Sequence, residues 1–186
     1  SPWNIAEYYN ASEVIDHYRF YASLRMNLSP YILEQAKIAV ANGTPLTYPA
    51  WLKHPQLYDE NDQISSYFFG KNILVCPRFT REDNEKPVKL PQGEWLDLWN
   101  GEWIQSNEQP MKSTCPRYHP VYLRKGALIP LSLEETKHLG EPHWSQDFNA
   151  VLIVDDLNNY PNASIVIEKY RDKIKMLKDE LSDAGT

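Results

Sequence analysis

Apolar and polar positions along the chain follow three successive patterns, and the first is helical. Between positions 15 and 40, apolar residues recur three or four positions apart, which predicts a helix with a broad apolar face. Ser12 stands before this run as a predicted N-cap, and Gly43 stands after Asn42 as a predicted stop. Pro30 lacks an amide hydrogen, so we expect it to bend the helix or divide it in two.

A short strand bounded by prolines follows the helix. Residues 44–51 are predicted to form this strand, whereas residues 1–4, before the helix, are expected to be a loop. A helix followed by a lone strand is typical of the repeating unit of an α/β barrel.

The second pattern consists of short strands. An Asn100-Gly101 pair between two alternating runs is the strongest short-range signal for a hairpin. Together with 14 Pro, 6 Trp and 12 Tyr in 186 residues, the spacing of the runs favours a small antiparallel β-sandwich. The predicted strands cover residues 72–77, 88–91, 93–99, 102–104, 118–124, 127–131 and 150–154.

Three tryptophans mark the predicted hairpin. The parity of Trp95, Trp99 and Trp103 places all three on one strand face unless a bulge at Asn100-Gly101 shifts one of them. We expect this face to be packed in the core. The alternative is an exposed platform on which sugars stack, and the exposure of the three rings distinguishes the two interpretations.

The third pattern is an a/d stripe near the C-terminus, over residues 165–181. It predicts an amphipathic helix lying on the sandwich. The alternative is a helix that recruits a partner or a second copy of the chain. The apolar positions of the stripe are Ile167, Tyr170, Ile174, Leu177 and Leu181.

Composition narrows the function classes. The net charge is −6 and no Lys/Arg cluster is present, which argues against a nucleic-acid partner. No apolar run approaches the roughly 18 residues of a membrane span. Cys76, Cys115 and five scattered histidines show no ligand spacing, so no metal or cofactor is predicted. An N-terminal targeting signal is not visible, but this says nothing about compartment if the chain is a fragment.

The order of five segments resembles glycoside hydrolase family 31, the α-glucosidase and α-xylosidase family. Residues 18–32 resemble its long helix with an arginine followed by Pro-Tyr, and residues 43–51 resemble the eighth barrel strand. Residues 68–77 resemble the segment that leaves the barrel, and residues 90–101 resemble the first hairpin of the sandwich. Residues 120–130 resemble its Pro-x-Phe-x-Arg-x-Gly-x-Ile-Ile-Pro strand pair. The resemblance covers roughly residues 1–131 and ends before the tail.

The resemblance implies an α+β fragment of a larger enzyme. Residues 1–64 would be the last helix and strand of the catalytic TIM (β/α)8 barrel, and residues 65–154 the antiparallel β-sandwich. Residues 155–186 would be a tail with an amphipathic helix. The family's retaining mechanism on α-linked glycosides uses two carboxylates from earlier barrel strands. Neither motif is in this chain, so no residue inherits a catalytic role and the chain alone is predicted to be inactive.

The resemblance also locates the substrate. We expect Trp3, Tyr48 and Trp51 to lie near the C-terminal rim of the barrel, where an α-linked oligosaccharide would bind. Two departures from the family pattern allow for a divergent or inactive paralogue. Ile64 and Ser66 replace an Asp and a Gln, and Thr47-Tyr48 stands where an Arg is common.

A self-contained active site would need its own pair of carboxylates. Asp59, Glu60 and Asp62 form the densest acidic group, and Asp155-Asp156 forms the next. A solvated loop and turn chemistry explain these groups more simply. The remaining alternatives are a carbohydrate-binding module and a protein-interaction module.

Overall fold

The described residues form three helices and a largely antiparallel set of strands, consistent with a β-sandwich. The structure is a computed structural model, and it describes residues 1–58, 66–79, 86–113, 119–133 and 150–155. The helices are α1 (Pro2–Tyr9), α2 (Glu13–Asn27) and α3 (Ser29–Asn42). The strands are β1 (Thr47–Pro49), β2 (Tyr67–Phe69), β3 (Ile73–Val75), β4 (Gly93–Asp97), β5 (Trp103–Ser106), β6 (Val121–Arg124), β7 (Ala127–Leu131) and β8 (Ala150–Val154).

The long N-terminal helix is divided in two, as predicted. The break falls at Leu28, and Pro30 is the second residue of α3, where a missing amide hydrogen costs nothing. Helix α3 ends at Asn42, and Gly43 has the left-handed φ of 66° that the predicted stop requires. Ser12 occupies the N-cap position of α2, although its side chain makes no capping hydrogen bond.

The prediction of a loop at residues 1–4 is wrong. Pro2 begins α1, and the Ser1 hydroxyl accepts a hydrogen bond from the Asn4 amide at 3.4 Å. A serine N-cap followed by proline at the first helical position is a favourable helix start, because proline has its φ preset for the helix. The Ser-Pro pair therefore indicates a helix start.

Of the described residues, 1–33, 129–133 and 150–152 belong to one of two compact units. Within its described part, Trp3 and Tyr18 meet edge to face with ring centroids 5.6 Å apart, which links α1 to α2. The Ser132 amide donates to the Asn27 carbonyl at 2.9 Å. Tyr31 on α3 is fully buried, whereas α2 has no buried residue among its 15.

The other unit contains the described residues 34–58, 66–79, 86–113, 119–128 and 153–155. Its six-stranded sheet has the order β1-β2-β3-β6-β4-β5, and every neighbouring pair is antiparallel. Strands β7 and β8 form a separate two-stranded sheet. The core of the unit is formed by Tyr48, Ala50, Leu57, Phe68, Leu74, Cys76, Val88, Leu90, Trp95 and Tyr122.

The hairpin around Asn100-Gly101 is confirmed, but its tryptophans do not share a face. Trp95 pairs with Ile104, and Leu96 pairs with Trp103. Directly paired residues point to the same side of a sheet, so Trp103 lies on the side of Leu96, opposite Trp95. Trp95 is accordingly 1% exposed, whereas Trp103 is 43% exposed. The same-face prediction is therefore wrong, because the turn changes the parity between the two strands.

The strand predicted over residues 88–91 is also absent from the described structure. Val88 makes only an isolated bridge with Met111, with two backbone hydrogen bonds of 2.8 and 2.9 Å. Pro91 has no amide hydrogen and cannot extend this pairing. Val88 and Leu90 are nevertheless buried, so the alternating pattern correctly identifies the side that packs in the core.

Several predictions fall outside the described residues. These are the acidic loop at Asp59, Glu60 and Asp62, the second cysteine Cys115, and the helix over residues 165–181 with its proposed self-association. The three-segment division of the chain stays a prediction. Among the described residues, no helix is long and apolar enough to cross a membrane, and no three metal-ligating side chains form a group.

Candidate functional site

Three aromatic rings form the centre of the sheet-containing unit. Tyr48 on β1 is directly opposite Phe68 on β2, and their rings stack with centroids 5.4 Å apart. Phe68 also lies 6.2 Å from Trp95 on β4, whose indole nitrogen donates to the Pro91 carbonyl at 2.9 Å. The three rings together with His54 and Arg124 are called the aromatic cluster below.

Arg124 supplies the positive charge of the aromatic cluster. It is paired with Trp95 across β4 and β6, and its guanidinium carbon lies 5.3 Å from the Trp95 ring centroid and 5.9 Å from that of Phe68. Both distances are within the range of cation–π attraction.

Burial and the charge of Arg124 change the titration of its neighbours. The His54 ring lies 5.6 Å from Phe68, and burial lowers the pKa of His54, with the positive charges of Arg124 and Lys53 acting in the same direction. Glu108 opposes this shift. Burial raises the pKa of Tyr48, against the effect of Arg124. The cluster therefore presents a neutral imidazole beside a fixed cation at pH 7.

A cavity of about 590 Å³ borders the cluster. His54, Trp95 and Arg124 line it, together with the carboxylates Glu94 and Asp155. Glu94 is held by Lys125, with an Oε2–Nζ distance of 2.6 Å. A cation, an indole, an imidazole and carboxylates around a cavity of this size are suited to binding a polar ligand.

The predicted site residues are placed in different surroundings. Trp3 is 45% exposed on α1 and contacts Tyr18 in the helical unit. Tyr48 is 5% exposed in the core of the sheet-containing unit, while Trp51 is half-buried and meets Tyr58 edge to face at 5.7 Å. Substrate binding by these three residues stays a prediction.

Sequence reasoning did not select His54 or Arg124 as site residues. A signal for Arg124 was present, because an arginine in the apolar run 120–131 must find compensation for its charge. His54 gave no such signal, since its position beside Phe68 depends on the 3₁₀ turns Ala50–Leu52 and Pro55–Leu57 that flank it.

Comparison with known proteins identifies the sheet-containing segment. Residues 43–129 match the family model described as the glycosyl hydrolase family 31 C-terminal domain. An isomaltosyltransferase of Sporosarcina globispora is 30% identical over 140 residues, which is 75% of this chain and 13% of that protein. An α-glucosidase of Saccharolobus solfataricus is 34% identical over 130 residues, which is 68% of this chain and 18% of that protein.

A solved structure shows the same relationship. The cycloalternan-forming enzyme from Listeria monocytogenes, in complex with a pentasaccharide substrate, aligns with a TM-score of 0.65 at 29% identity. The alignment covers 84% of this chain and 15% of that enzyme, so the chain spans only a small part of the relatives it matches. This chain belongs to glycoside hydrolase family 31 and corresponds to its C-terminal portion.

Proposed function

We propose that this chain is the C-terminal part of a longer retaining α-glycoside hydrolase that acts on α-linked glucosides or xylosides. Residues 1–64 would belong to the end of the catalytic TIM barrel, and residues 65–154 would buttress it. The relatives named as an α-glucosidase and an isomaltosyltransferase support α-linked glucosides as the substrate class. The catalytic carboxylates would come from the preceding part of the barrel.

The exposed aromatic surface of α1 and α2 is the observation that supports this proposal best. Soluble proteins rarely leave so many large apolar side chains accessible to solvent, and α2 buries none of its residues. The preceding units of a barrel would cover this surface, because each barrel helix packs its apolar face against neighbouring helices and strands. This helix surface consists of Trp3, Ile5, Tyr8, Tyr9 and Tyr18.

Substrate contact through Trp3, Tyr48 and Trp51 remains part of the proposal. Trp51 lies in the 3₁₀ turn that follows β1 and is only half-buried, so it is the best placed of the three to meet a sugar. In the longer protein, Trp51→Ala should raise KM for an α-glucoside more than it lowers kcat, because a ring that stacks on bound sugar contributes to binding in both ground and transition states.

Fragment complementation tests the proposed function. The 186-residue chain and the preceding part of the longer protein would be produced separately, and hydrolysis of p-nitrophenyl α-glucoside and α-xyloside would be measured for each and for the mixture. We expect activity in the mixture alone. Activity of the chain by itself would overturn the proposal, and Glu94→Gln and Asp155→Asn would then identify its carboxylates.

A matched pair of variants locates the contact between the two parts. Tyr18→Asp introduces a charge on the helix surface, where the Tyr18 ring is 42% exposed. Phe79→Asp makes the same kind of change at a ring that is 77% exposed in the sheet-containing unit. Complementation should be lost in the first variant and kept in the second. Equal activity of both variants would contradict docking through α1 and α2.

A non-catalytic carbohydrate-binding role is the second candidate, and Trp103 favours it. Its ring is 43% exposed on β5, and the Lys125 ammonium lies 5.8 Å from the ring centroid on one side. The other side of the indole could stack on a pyranose. Retardation of the chain in gels containing an α-glucan would support this role, provided that Trp103→Ala abolishes the retardation and Tyr58→Ala does not.

A further inference from the structure

Glu108 has a backbone conformation that side chains with a Cβ rarely adopt. It lies two residues after the end of β5, and its φ is 68°. Glycine and asparagine enter this left-handed region more readily than glutamate does. Among the described residues other than glycine, only Asn10 shares a positive φ, and Asn10 is the C-cap of α1. Such a conformation persists only where the surrounding contacts hold it, and it is common at functional sites.

Three hydrogen bonds hold Glu108 in place. Its backbone amide donates to Ser106 Oγ at 3.1 Å, and that hydroxyl donates in turn to the buried Leu90 carbonyl at 2.8 Å. Its carboxylate oxygen Oε1 accepts from Gln56 Nε2 at 2.6 Å and from the backbone amide of Gln92 at 3.3 Å. Hydrogen bonds to an ionised carboxylate are stronger than those between neutral groups. One oxygen atom therefore joins the turn around Gln56 to the segment that enters β4.

The turn around Gln56 is continuous with the segment that carries Trp51. The His54 amide donates to the Ala50 carbonyl at 3.0 Å, which joins the 3₁₀ turn of Trp51 to the following turn of Gln56. Tyr58, at the end of the second turn, meets the Trp51 ring edge to face with centroids 5.7 Å apart. Holding Gln56 therefore restricts the movement of the Trp51 ring.

The Glu108 carboxylate also acts on His54. Burial is the largest cause of the lowered pKa of this histidine, and the positive charges of Arg124 and Lys53 add to it, whereas the carboxylate opposes it. His54 and Gln92 both line the cavity of about 590 Å³. Glu108 thus interacts with both of the segments that supply these two parts of the cavity wall.

We propose that Glu108 is a positioning residue, which holds the two 3₁₀ turns against the entry to β4 and thereby fixes the Trp51 ring for contact with an α-linked sugar. A hydrogen bond between side chains at the surface contributes little to stability, so stability alone does not account for the unfavourable backbone angle. The inference rests on the proposed substrate contact of Trp51. The coupling between Glu108 and the turns is nevertheless testable without any substrate.

Glu108→Gly separates backbone strain from this coupling in the 186-residue chain. Glycine adopts a φ of 68° without strain but has no carboxylate. The urea midpoint should therefore change little, because relief of strain offsets the lost hydrogen bonds. The Tyr58 amide, which donates to the Pro55 carbonyl at 3.0 Å, should exchange with solvent at least about fivefold faster. A residue with a merely structural role would change stability and exchange together.

Three further variants identify the contact that is responsible. Gln56→Ala removes the partner on the turn and should speed exchange of the Tyr58 amide to a similar extent. Glu108→Gln keeps an acceptor oxygen and should retain most of the protection. Gln109→Ala changes the next residue, which is exposed, and should leave the exchange rate unchanged. Unchanged exchange in both Glu108→Gly and Gln56→Ala would overturn the coupling.

Kinetics of the longer protein test the consequence for the substrate. Glu108→Gly should raise KM for an α-glucoside roughly three- to tenfold with little change in kcat, because a mobile Trp51 ring binds the sugar less well. A raised KM in Trp51→Ala with an unchanged KM in Glu108→Gly would overturn the positioning role alone. An unchanged KM in both variants would overturn the substrate contact of Trp51, and with it the role of Glu108.

Discussion

The guanidinium carbon of Arg124 lies 5.3 Å from the ring centroid of Trp95, and the two residues are directly paired across β4 and β6. The pairing places a permanent positive charge against the aromatic core of the sheet-containing unit. His54 and Tyr48 both respond to this charge, since it lowers the pKa of the imidazole and opposes the burial that raises the pKa of the phenol. Arg124 therefore acts on the pKa of both groups, although burial has the larger effect on each.

Arg124→Gln should raise the pKa of His54. Removing the positive charge eliminates one cause of the lowered pKa, whereas burial, the largest cause, remains. The pKa should therefore move toward the ordinary value of 6.5 and stay below it. Titration of the His54 ring protons by NMR provides the measurement. Arg78→Gln is the matched control, because Arg78 acts on His119 and should raise the pKa of that histidine alone.

Stability should decrease as the solution is acidified through the range in which histidines titrate. Burial lowers the pKa of both His54 and His119 in the folded state, so the unfolded chain binds protons more readily. The contribution of each neutral histidine is complete above the unfolded pKa of 6.5 and is lost as pH falls through the folded pKa. Urea midpoints measured between about pH 7 and pH 5 should therefore fall.

A variant at His119 checks the cause of this pH dependence. His119 Nδ1 accepts a hydrogen bond from the Arg78 amide at 3.0 Å, which requires that nitrogen to be unprotonated. Glutamine can supply an acceptor oxygen but does not titrate in this range. His119→Gln should therefore weaken the dependence of the urea midpoint on pH. An unchanged dependence in both His119→Gln and His54→Gln would assign the effect to other groups.

Much of the fold could be predicted from the sequence, because it depends on the conformational preferences of residues close together in the chain. The division of the helix near Pro30, its end at Gly43 and the Asn100-Gly101 hairpin all depend on the backbone preferences of single residues. The prediction that the tryptophans share a face depended instead on the register between β4 and β5. A turn can change this register by one residue. Val88 forms an isolated bridge rather than a strand, because Pro91 has no amide hydrogen with which to extend the pairing.

The candidate site was less accessible to sequence reasoning. Arg124 and Trp95 are 29 positions apart, and their contact arises only because β6 inserts between β3 and β4 in the sheet. Contacts across a non-sequential strand order leave no periodic signal in the chain.

Truncation of Trp95 should be far more damaging than truncation of Trp103. Trp95 is 1% exposed, packs beside Phe68 and donates to the Pro91 carbonyl, so Trp95→Ala should cost about 3–5 kcal/mol in the free energy of unfolding. Trp103→Ala removes a partly exposed ring from an edge strand and should cost about 1 kcal/mol or less. Urea denaturation followed by circular dichroism compares the two, and similar losses would show that Trp103 is part of the core.

The hairpin turn provides a test of backbone conformation without side-chain packing. Gly101 has a φ of 74°, and nothing lies within 4 Å of the position a Cβ would occupy. Gly101→Ala should therefore cost about 1–2 kcal/mol through backbone strain alone. Gly101→Asn should cost less, because asparagine tolerates the left-handed region better than alanine does. Urea midpoints at constant m-value measure both changes. Equal destabilisation by alanine and asparagine would mean that the added side chain, rather than the backbone angle, disturbs the turn.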